Sequence, residues 1–217
     1  TLSLNRLTLA DRTKILDSQF SAYSYKSGFE PKKVRLAGAG WCTAAADPSA
    51  EYLQIDLQNF YKIEIIVTKG TSSSWVKSYY LDYSFNGADW TQAKIRDERR
   101  TLSGNFDSST PQYHFFEKPI EARLLKIIPE EWEGDFLCLR FDFLGCQFDP
   151  CESCDSAVSY CNETTSWTCK CSEGLEMDDG VCKDKCRSCN ASTYCDKTTD
   201  WNCTCIEGYE MDDGQCK

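Results

Sequence analysis

Cysteine is the residue type whose number and spacing in this sequence point most directly to chemistry. The chain of 217 residues contains 15 cysteines, and twelve of them lie between Cys151 and Cys216. Thiolates in C-x-x-C spacing can hold zinc, whereas paired thiols in an oxidising compartment form disulfides. Histidine, a frequent zinc ligand, is absent from this segment, and so many thiols are typical of a secreted chain. The pattern therefore favours disulfides over zinc.

The cysteine-rich segment is an internal repeat of two copies, each about 34 residues long. The copies contain, in turn, Cys151, Cys154, Cys161, Cys169, Cys171 and Cys182, and Cys186, Cys189, Cys195, Cys203, Cys205 and Cys216. Six cysteines allow fifteen pairings, so their spacing alone leaves the connectivity open. The sequence Asp178-Asp179-Gly180 predicts a hairpin turn. Trp167 and Trp201 occupy equivalent positions, and each is expected to cover the disulfide core of its own module.

A short motif follows the C-x-C step of each copy, Glu173-Gly174-Leu175 in one and Glu207-Gly208-Tyr209 in the other. With this motif each copy resembles the EGF-like family. The resemblance implies that the first cysteine pairs with the third, the second with the fourth and the fifth with the sixth. The implied disulfides are Cys151–Cys161, Cys154–Cys169, Cys171–Cys182, Cys186–Cys195, Cys189–Cys203 and Cys205–Cys216.

Neither copy carries the acidic motif that precedes the first cysteine in calcium-binding EGF-like modules. We therefore expect no metal and no cofactor, and a structural calcium ion is the alternative left open. Three N-x-S/T sequons predict an exposed, glycosylated tail. Their asparagines are Asn162, Asn190 and Asn202.

The first 146 residues have only three cysteines and must position their side chains by other means. They alternate short apolar and aromatic runs, such as residues 63–67 and 139–144, with turn signals. Asn86-Gly87 indicates a hairpin, and no long run has the 3.6-residue period of a helix. This pattern predicts an all-β sandwich or barrel with Trp41 and Trp90 in its core.

Several motifs in this region occur in a characteristic order: Gly40-Trp41-Cys42, then residues 83–90, then Cys138-Leu139-Arg140 and Leu144-Gly145-Cys146. In these motifs the region resembles the coagulation factor V/VIII type C (discoidin) family. The resemblance implies a discoidin-type jelly-roll β-barrel or sandwich at residues 1–146, followed by EGF-like modules at residues 147–183 and 184–217.

The same resemblance implies a Cys42–Cys138 disulfide and leaves Cys146 without a partner. In the family, the last cysteine pairs with one near the N-terminus, and the resemblance implies that the chain begins just past that position. Cys146 has therefore either lost its partner or pairs between chains, which makes a disulfide-linked oligomer an alternative.

Charge argues against several function classes. The chain has a net charge of −10, and residues 151–217 hold 6 Lys/Arg against 14 Asp/Glu. So acidic a tail repels nucleic acid, and no nucleic-acid partner is expected. The one histidine, His114, lies in a strand-like run, and no phosphate-binding loop occurs. We therefore expect a protein that is not an enzyme.

The discoidin resemblance implies a ligand surface made by the loops at one end of the barrel. By position these loops are residues 20–33, 43–50 and 71–75. The candidate ligand-binding residues are Phe20, Tyr23, Tyr25, Lys26, Phe29, Lys32, Lys33 and Trp75.

Aromatic rings and lysines in such loops suit a cell-surface glycan or glycoprotein. The predicted function is therefore adhesion or recognition outside the cell, by a secreted protein or the ectodomain of a membrane protein. Two alternatives stay open. Aromatics beside three lysines also fit a phosphatidylserine-binding membrane bridge, which would use an anionic phospholipid surface. The other alternative is a structural matrix component that binds protein.

Overall fold

The computed structural model describes residues 8–44, 50–94, 101–189, 193–195, 197, 200–208, 210–212 and 215–216. The chain divides into two compact units, Thr1–Asp149 and Pro150–Lys217. The first unit extends past the predicted domain end at residue 146, because the backbone N–H of Phe148 donates to the Phe60 carbonyl at 3.0 Å and the two rings pack together. No helix in the described ranges is long and apolar enough to cross a membrane.

The first unit is built from antiparallel strands, as the sequence predicts. The strands are β1 (Phe20–Ala22), β2 (Trp41–Cys42), β3 (Leu53–Lys69), β4 (Trp75–Ser84), β5 (Thr91–Gln92), β6 (Leu102–Ser103), β7 (Gln112–Glu133) and β8 (Cys138–Gln147). Short 3-10 helices occupy Asp17–Gln19 and Pro31–Lys33. The strand order is β2-β8-β3-β7-β4-β5, with β1 on β3 and β6 on β4. The all-β prediction is confirmed.

Two long strands, β3 and β7, fold this one sheet into two layers that enclose the core. The start of β3 pairs with β1 and the second half of β7, whereas Tyr61–Lys69 pairs with β8 and the first half of β7. The register breaks between Asp56 and Tyr61, where Gln58 has a φ of 59°. Such an irregularity bends a strand, so β3 contributes to both layers around a single core.

The core confirms one sequence prediction and corrects another. Trp41 is fully buried among large side chains that include Tyr61, Tyr79 and Phe143. Trp90 was predicted in the core but is only half-buried. Its indole N–H donates to the Gly87 carbonyl at 2.9 Å, and Lys126 Nζ lies 3.8 Å from its ring. The Asn86-Gly87 turn therefore holds this ring outside the core.

A buried arginine ties the segment before β1 to the core. Arg35 is 3% exposed, and its guanidinium donates to the carbonyls of Leu9 at 2.7 Å, Ile15 at 2.8 Å and Lys32 at 2.7 Å. It also pairs with Asp17 Oδ1 at 2.7 Å. Because the cation is surrounded by acceptors, its burial is compensated by hydrogen bonds.

The second unit consists of short antiparallel strand pairs. The strands are β9 (Ser159–Tyr160), β10 (Lys170–Cys171), β11 (Leu175–Asp178), β12 (Val181–Asp184), β13 (Thr193–Tyr194), β14 (Thr204–Cys205), β15 (Met211–Asp212) and β16 (Gln215–Cys216). Short 3-10 helices occupy Glu163–Thr165 and Lys185–Ser188. The β11–β12 hairpin turns at Asp179 and Gly180, both with positive φ, which confirms the turn predicted there.

Disulfides connect these strand pairs in the order that the EGF-like resemblance implies. They are Cys151–Cys161, Cys154–Cys169, Cys171–Cys182, Cys186–Cys195 and Cys189–Cys203. Cys205 is also disulfide-bonded, and the side chain of Cys216, its predicted partner, lies outside the described residues. In the first unit Cys42 is bonded to Cys138, and half-buried Cys146 forms no disulfide in the described structure. Of the sequon asparagines, Asn162 and Asn202 are exposed, and Asn190 lies outside the described residues.

Candidate ligand-binding site

Several loops meet at one end of the first unit. β3 ends at Lys69, opposite Arg140 near the start of β8, and β4 begins at Trp75, opposite Glu133 at the end of β7. The loops at residues 70–74 and 134–137 therefore leave the same edge. They touch at Gly134, whose φ is +102° and where a Cβ would lie 2.7 Å from the Ser73 carbonyl oxygen. Glycine is required there because a side chain would separate the two loops.

The first predicted loop is fixed to this end by its backbone. The N–H of Lys26 donates to the Cys42 carbonyl at 2.9 Å, and the N–H of Cys42 donates to the Phe29 carbonyl at 3.3 Å. Cys42 is in turn bonded to Cys138 at the start of β8. The loop backbone is thus attached to strands β2 and β8, which the disulfide joins. Its side chains are therefore presented from a rigid base.

Ser24 is a second anchor for this loop. Its carbonyl accepts from the indole N–H of buried Trp41 at 2.9 Å, and its hydroxyl donates to Glu51 Oε1 at 2.6 Å. The same hydroxyl oxygen accepts from the backbone N–H of Ala44 at 2.9 Å. Glu51 is 3% exposed, so this is a buried polar link between the first and second loops. Residues 45–49 of the second predicted loop lie outside the described residues.

Two of the predicted aromatic residues are presented to solvent. Tyr23 is 63% exposed and Tyr25 is 51% exposed. The ring of Tyr23 lies 6.3 Å from that of Tyr52. Exposed rings on a fixed backbone can stack on an apolar ligand face at low entropic cost.

Lys26 lies against an aromatic ring that the sequence prediction did not include. Its Nζ is 3.8 Å from the centroid of Phe136, which is half-buried in the loop between β7 and β8. The signal was the sequence Gly134-Asp135-Phe136, a turn with an aromatic tip just before Cys138. We call this Lys26–Phe136 pair, together with the exposed Tyr25 that precedes Lys26 in the chain, the aromatic–lysine platform.

Three of the predicted ligand residues are largely buried or already paired. Phe20 is 8% exposed, and the Arg35 guanidinium covers its ring at 4.5 Å, so little of this ring is open to a ligand. Lys33 Nζ pairs with Glu30 Oε2 at 2.9 Å and lowers the pKa of that carboxyl to about 2. The ammonium group of Lys33 is therefore already paired within its own loop. Trp75 is half-buried within β4, not at a loop tip.

The other two predicted residues stay at the surface of this end. Lys32 is exposed, and its side chain forms no ion pair with a described residue. Phe29 is half-buried next to the Lys26 backbone. The site therefore combines ring faces, ammonium donors and a rigid backbone. In the part of the chain that the structure describes, no three His, Cys, Asp or Glu side chains are grouped to hold a metal ion.

The curled antiparallel sheet with a loop-built end defines an all-β domain of the binding-module type. Residues 19–143 match the F5/8 type C domain, which is more than half of the chain, and the chain belongs to this family. The discoidin part of the sequence prediction is thereby confirmed.

Curated relatives share this region. Mouse coagulation factor VIII is 34% identical over 145 residues, which are 61% of this chain and 6% of the relative. Neuropilin-1 of Xenopus laevis is 33% identical over 147 residues, 64% of this chain and 16% of the relative. Rat lactadherin is 29% identical over 154 residues, 67% of this chain and 36% of the relative. The chain thus spans about a third or less of the length of these relatives.

The fold also resembles a solved structure. Recombinant discoidin II of Dictyostelium discoideum superimposes with a TM-score of 0.56 at 17% identity, over 65% of this chain and 59% of that one. At this identity the likeness establishes the fold alone.

Proposed function

We propose that this protein is an extracellular, non-catalytic recognition protein whose discoidin loops bind a cell-surface glycan or glycoprotein. In this proposal the cysteine-rich unit is a pair of EGF-like modules that acts as a spacer and carries N-linked glycans. Disulfides persist in oxidising compartments, so the bonds throughout the chain support a secreted protein or an ectodomain.

The aromatic–lysine platform is the observation that carries the proposal. Tyr25 offers a ring face that is 51% exposed, and Lys26 is held 3.8 Å above Phe136. A sugar presents C–H groups on one face and hydroxyls at its edge, and these match a ring face beside an ammonium donor. The cation–π contact fixes the ammonium before the ligand arrives, so less entropy is lost on binding.

One observation favours a second candidate, a phosphatidylserine surface. Lys26 and Lys32 are exposed on the same loop as Tyr23 and Tyr25, and residues 1–150 are nearly neutral, with 18 Lys/Arg against 20 Asp/Glu. Exposed rings can enter the interfacial layer of a membrane while lysines contact anionic headgroups. Binding of this kind would weaken steeply with salt.

The test compares the wild type with a Tyr25→Ala/Lys26→Ala variant on a glycan array and on vesicles. The vesicles contain phosphatidylserine in phosphatidylcholine, or phosphatidylcholine alone. The matched control is Phe115→Ala/Lys118→Ala, which also removes one exposed aromatic and one exposed lysine but lies within strand β7 and outside the predicted loops.

We expect the wild type and the control to bind the same glycans, and the Tyr25→Ala/Lys26→Ala variant to bind them about tenfold more weakly, a loss of about 1.4 kcal/mol. Salt-sensitive binding to phosphatidylserine vesicles alone would select the second candidate. Equal glycan binding by all three proteins would show that the platform is not the site.

A further inference from the structure

The two copies of the cysteine-rich repeat contact each other through a tryptophan and a glycine. Trp201 of the second copy covers Gly174 of the first, where a Cβ would lie 3.0 Å from two carbons of the indole ring. Gly174 is buried by this contact and has a φ of +86°. The sequence predicts that Trp201 covers the disulfide core of its own module, and the structure adds this contact with the neighbouring copy. We call Glu173 and Gly174 the first seat.

Polar contacts surround this apolar one. Lys197 Nζ lies 2.6 Å from Glu173 Oε1, and the backbone N–H of Lys185 donates to the Gly174 carbonyl at 3.1 Å. Lys185 Nζ lies 5.9 Å from the Trp201 ring. The second copy therefore engages the first seat with a tryptophan, and with a lysine four residues before it that neutralises the acidic residue of the seat.

The repeat places an equivalent seat on the second copy. A shift of one copy superimposes Glu173 and Gly174 on Glu207 and Gly208. The backbone agrees, because Gly174 and Gly208 have φ values of +86° and +93°. Yet Gly208 is exposed, and a Cβ there would meet no described atom within 4 Å. We call Glu207 and Gly208 the second seat; it has the first seat's residues and backbone, and no ring of a described residue covers it.

We propose that the second seat docks a further cysteine-rich module of the same kind. The partner is defined by a tryptophan in the position of Trp201 with a lysine in the position of Lys197. The first copy of a second molecule fits this definition poorly, because its residue four positions before the tryptophan is Glu163, which would face Glu207 with the same charge. This proposal concerns the tail and is independent of the ligand proposed for the loops.

Modules that dock on one another in this way form a linear array, in which each module contacts only its neighbours. The first copy supplies a Glu-Gly seat, and each later module of the kind proposed would supply both a seat and a Trp-Lys pair, so every added module meets the same interface.

The test extends the full chain after Lys217 by a second copy of residues 184–217. This reproduces the junction of the first two modules, because Cys216-Lys217 is then followed by Asp-Lys-Cys, as Cys182-Lys183 is. The readout is the NMR shift of the glycine Hα protons, which move upfield beneath an indole ring. Oxidation of all added cysteines and dispersed amide signals establish that the added copy is folded before the shift is read.

We expect Gly208 in the extended chain to move upfield to a value like that of Gly174, and to lose this shift when the tryptophan of the added copy is replaced by alanine. Glu207→Lys should also reduce the shift without unfolding the added copy. A folded added copy that leaves Gly208 unshifted would overturn the proposal.

A second measurement needs no extension. In the unextended chain, Trp201→Ala must abolish the upfield shift of Gly174, whereas Trp167→Ala must leave that shift in place. If Gly174 is unshifted in the wild type, the first seat is not occupied in solution, and the proposed rule fails with it.

Discussion

The two units of this protein are stabilised in different ways. In the first unit, hydrophobic side chains from Leu9 to Phe143 form one buried cluster, and a single disulfide, Cys42–Cys138, is present. In the described part of the second unit no hydrophobic side chain is fully buried, and disulfides join most of its cysteines. A segment too short to enclose an apolar core folds when covalent bonds restrict its unfolded state. One chain thus contains a unit stabilised by an apolar core and a unit stabilised by disulfides.

Reduction of the disulfides is expected to have the largest effect on stability, and to affect the two units differently. Treatment with a strong reductant should unfold the second unit completely, because it has no apolar core to replace the lost bonds. The first unit should stay folded while losing about 2–4 kcal/mol of stability with its one bond. Hydrogen exchange followed along the chain checks this. Equal loss of protection in both units would refute the comparison.

Arginine substitution is expected to show the next largest effect. Arg35→Ala should lower the free energy of unfolding of the first unit by about 3–5 kcal/mol, because it leaves the carbonyls of Leu9, Ile15 and Lys32 without their hydrogen-bond donor. Arg12, which also pairs with Asp17 but is 63% exposed, is the matched control, and Arg12→Ala should cost less than about 1 kcal/mol.

The second unit supplies its own comparison for this prediction. Arg187 pairs with Glu176 and Asp178, and all three side chains are well exposed. Arg187→Ala should therefore change stability by less than about 1 kcal/mol. Urea unfolding of the three variants measures the differences. A cost at Arg187 as large as that at Arg35 would mean that ion pairs, not disulfides, stabilise the tail.

A pH effect of smaller size should be confined to the first unit, which contains the only histidine of the chain. Burial lowers the pKa of His114, whose ring packs edge-on against Tyr79. The unfolded state, with a histidine pKa of about 6.5, then binds the proton more readily. The contribution of neutral His114 to the free energy of unfolding is fully present above that pH and is lost as the pH falls below it.

The variant His114→Gln isolates this contribution. Its unfolding free energy, measured between about pH 7 and pH 5.5, should vary less with pH than that of the wild type. Parallel pH profiles for the two proteins would show that His114 titrates normally in the folded state.

Much of the fold could be predicted because the signals are local or periodic. Alternating runs and the Asn86-Gly87 turn indicated antiparallel strands, and the order of motifs around Trp41 and Cys138 indicated the discoidin family. The β11–β12 turn followed from Asp178-Asp179-Gly180. These features depend on neighbours in sequence, which a single chain displays directly.

The parts of the site that escaped prediction depend on partners distant in sequence. Nothing near Phe20 shows that Arg35 will cover its ring, and nothing near Lys26 shows that Phe136, over a hundred residues later, will support it. The sequence also does not show that Lys33 pairs with Glu30, because this pairing depends on the 3-10 helix that brings the two side chains together. Burial and pairing of loop side chains are set by the packed fold, and composition alone does not give them.

The Cys42–Cys138 bond also has a mechanical consequence. A pull on the first loop passes from residue 33 to Cys42, crosses the bond to Cys138, and runs down β8 to Gln147 and into the tail. Residues 43–137 lie outside this covalent route, so tension between a bound ligand and the tail is not carried by most of the barrel. The covalent load path therefore runs along β8, the strand that contributes Leu139, Phe141 and Phe143 to the core.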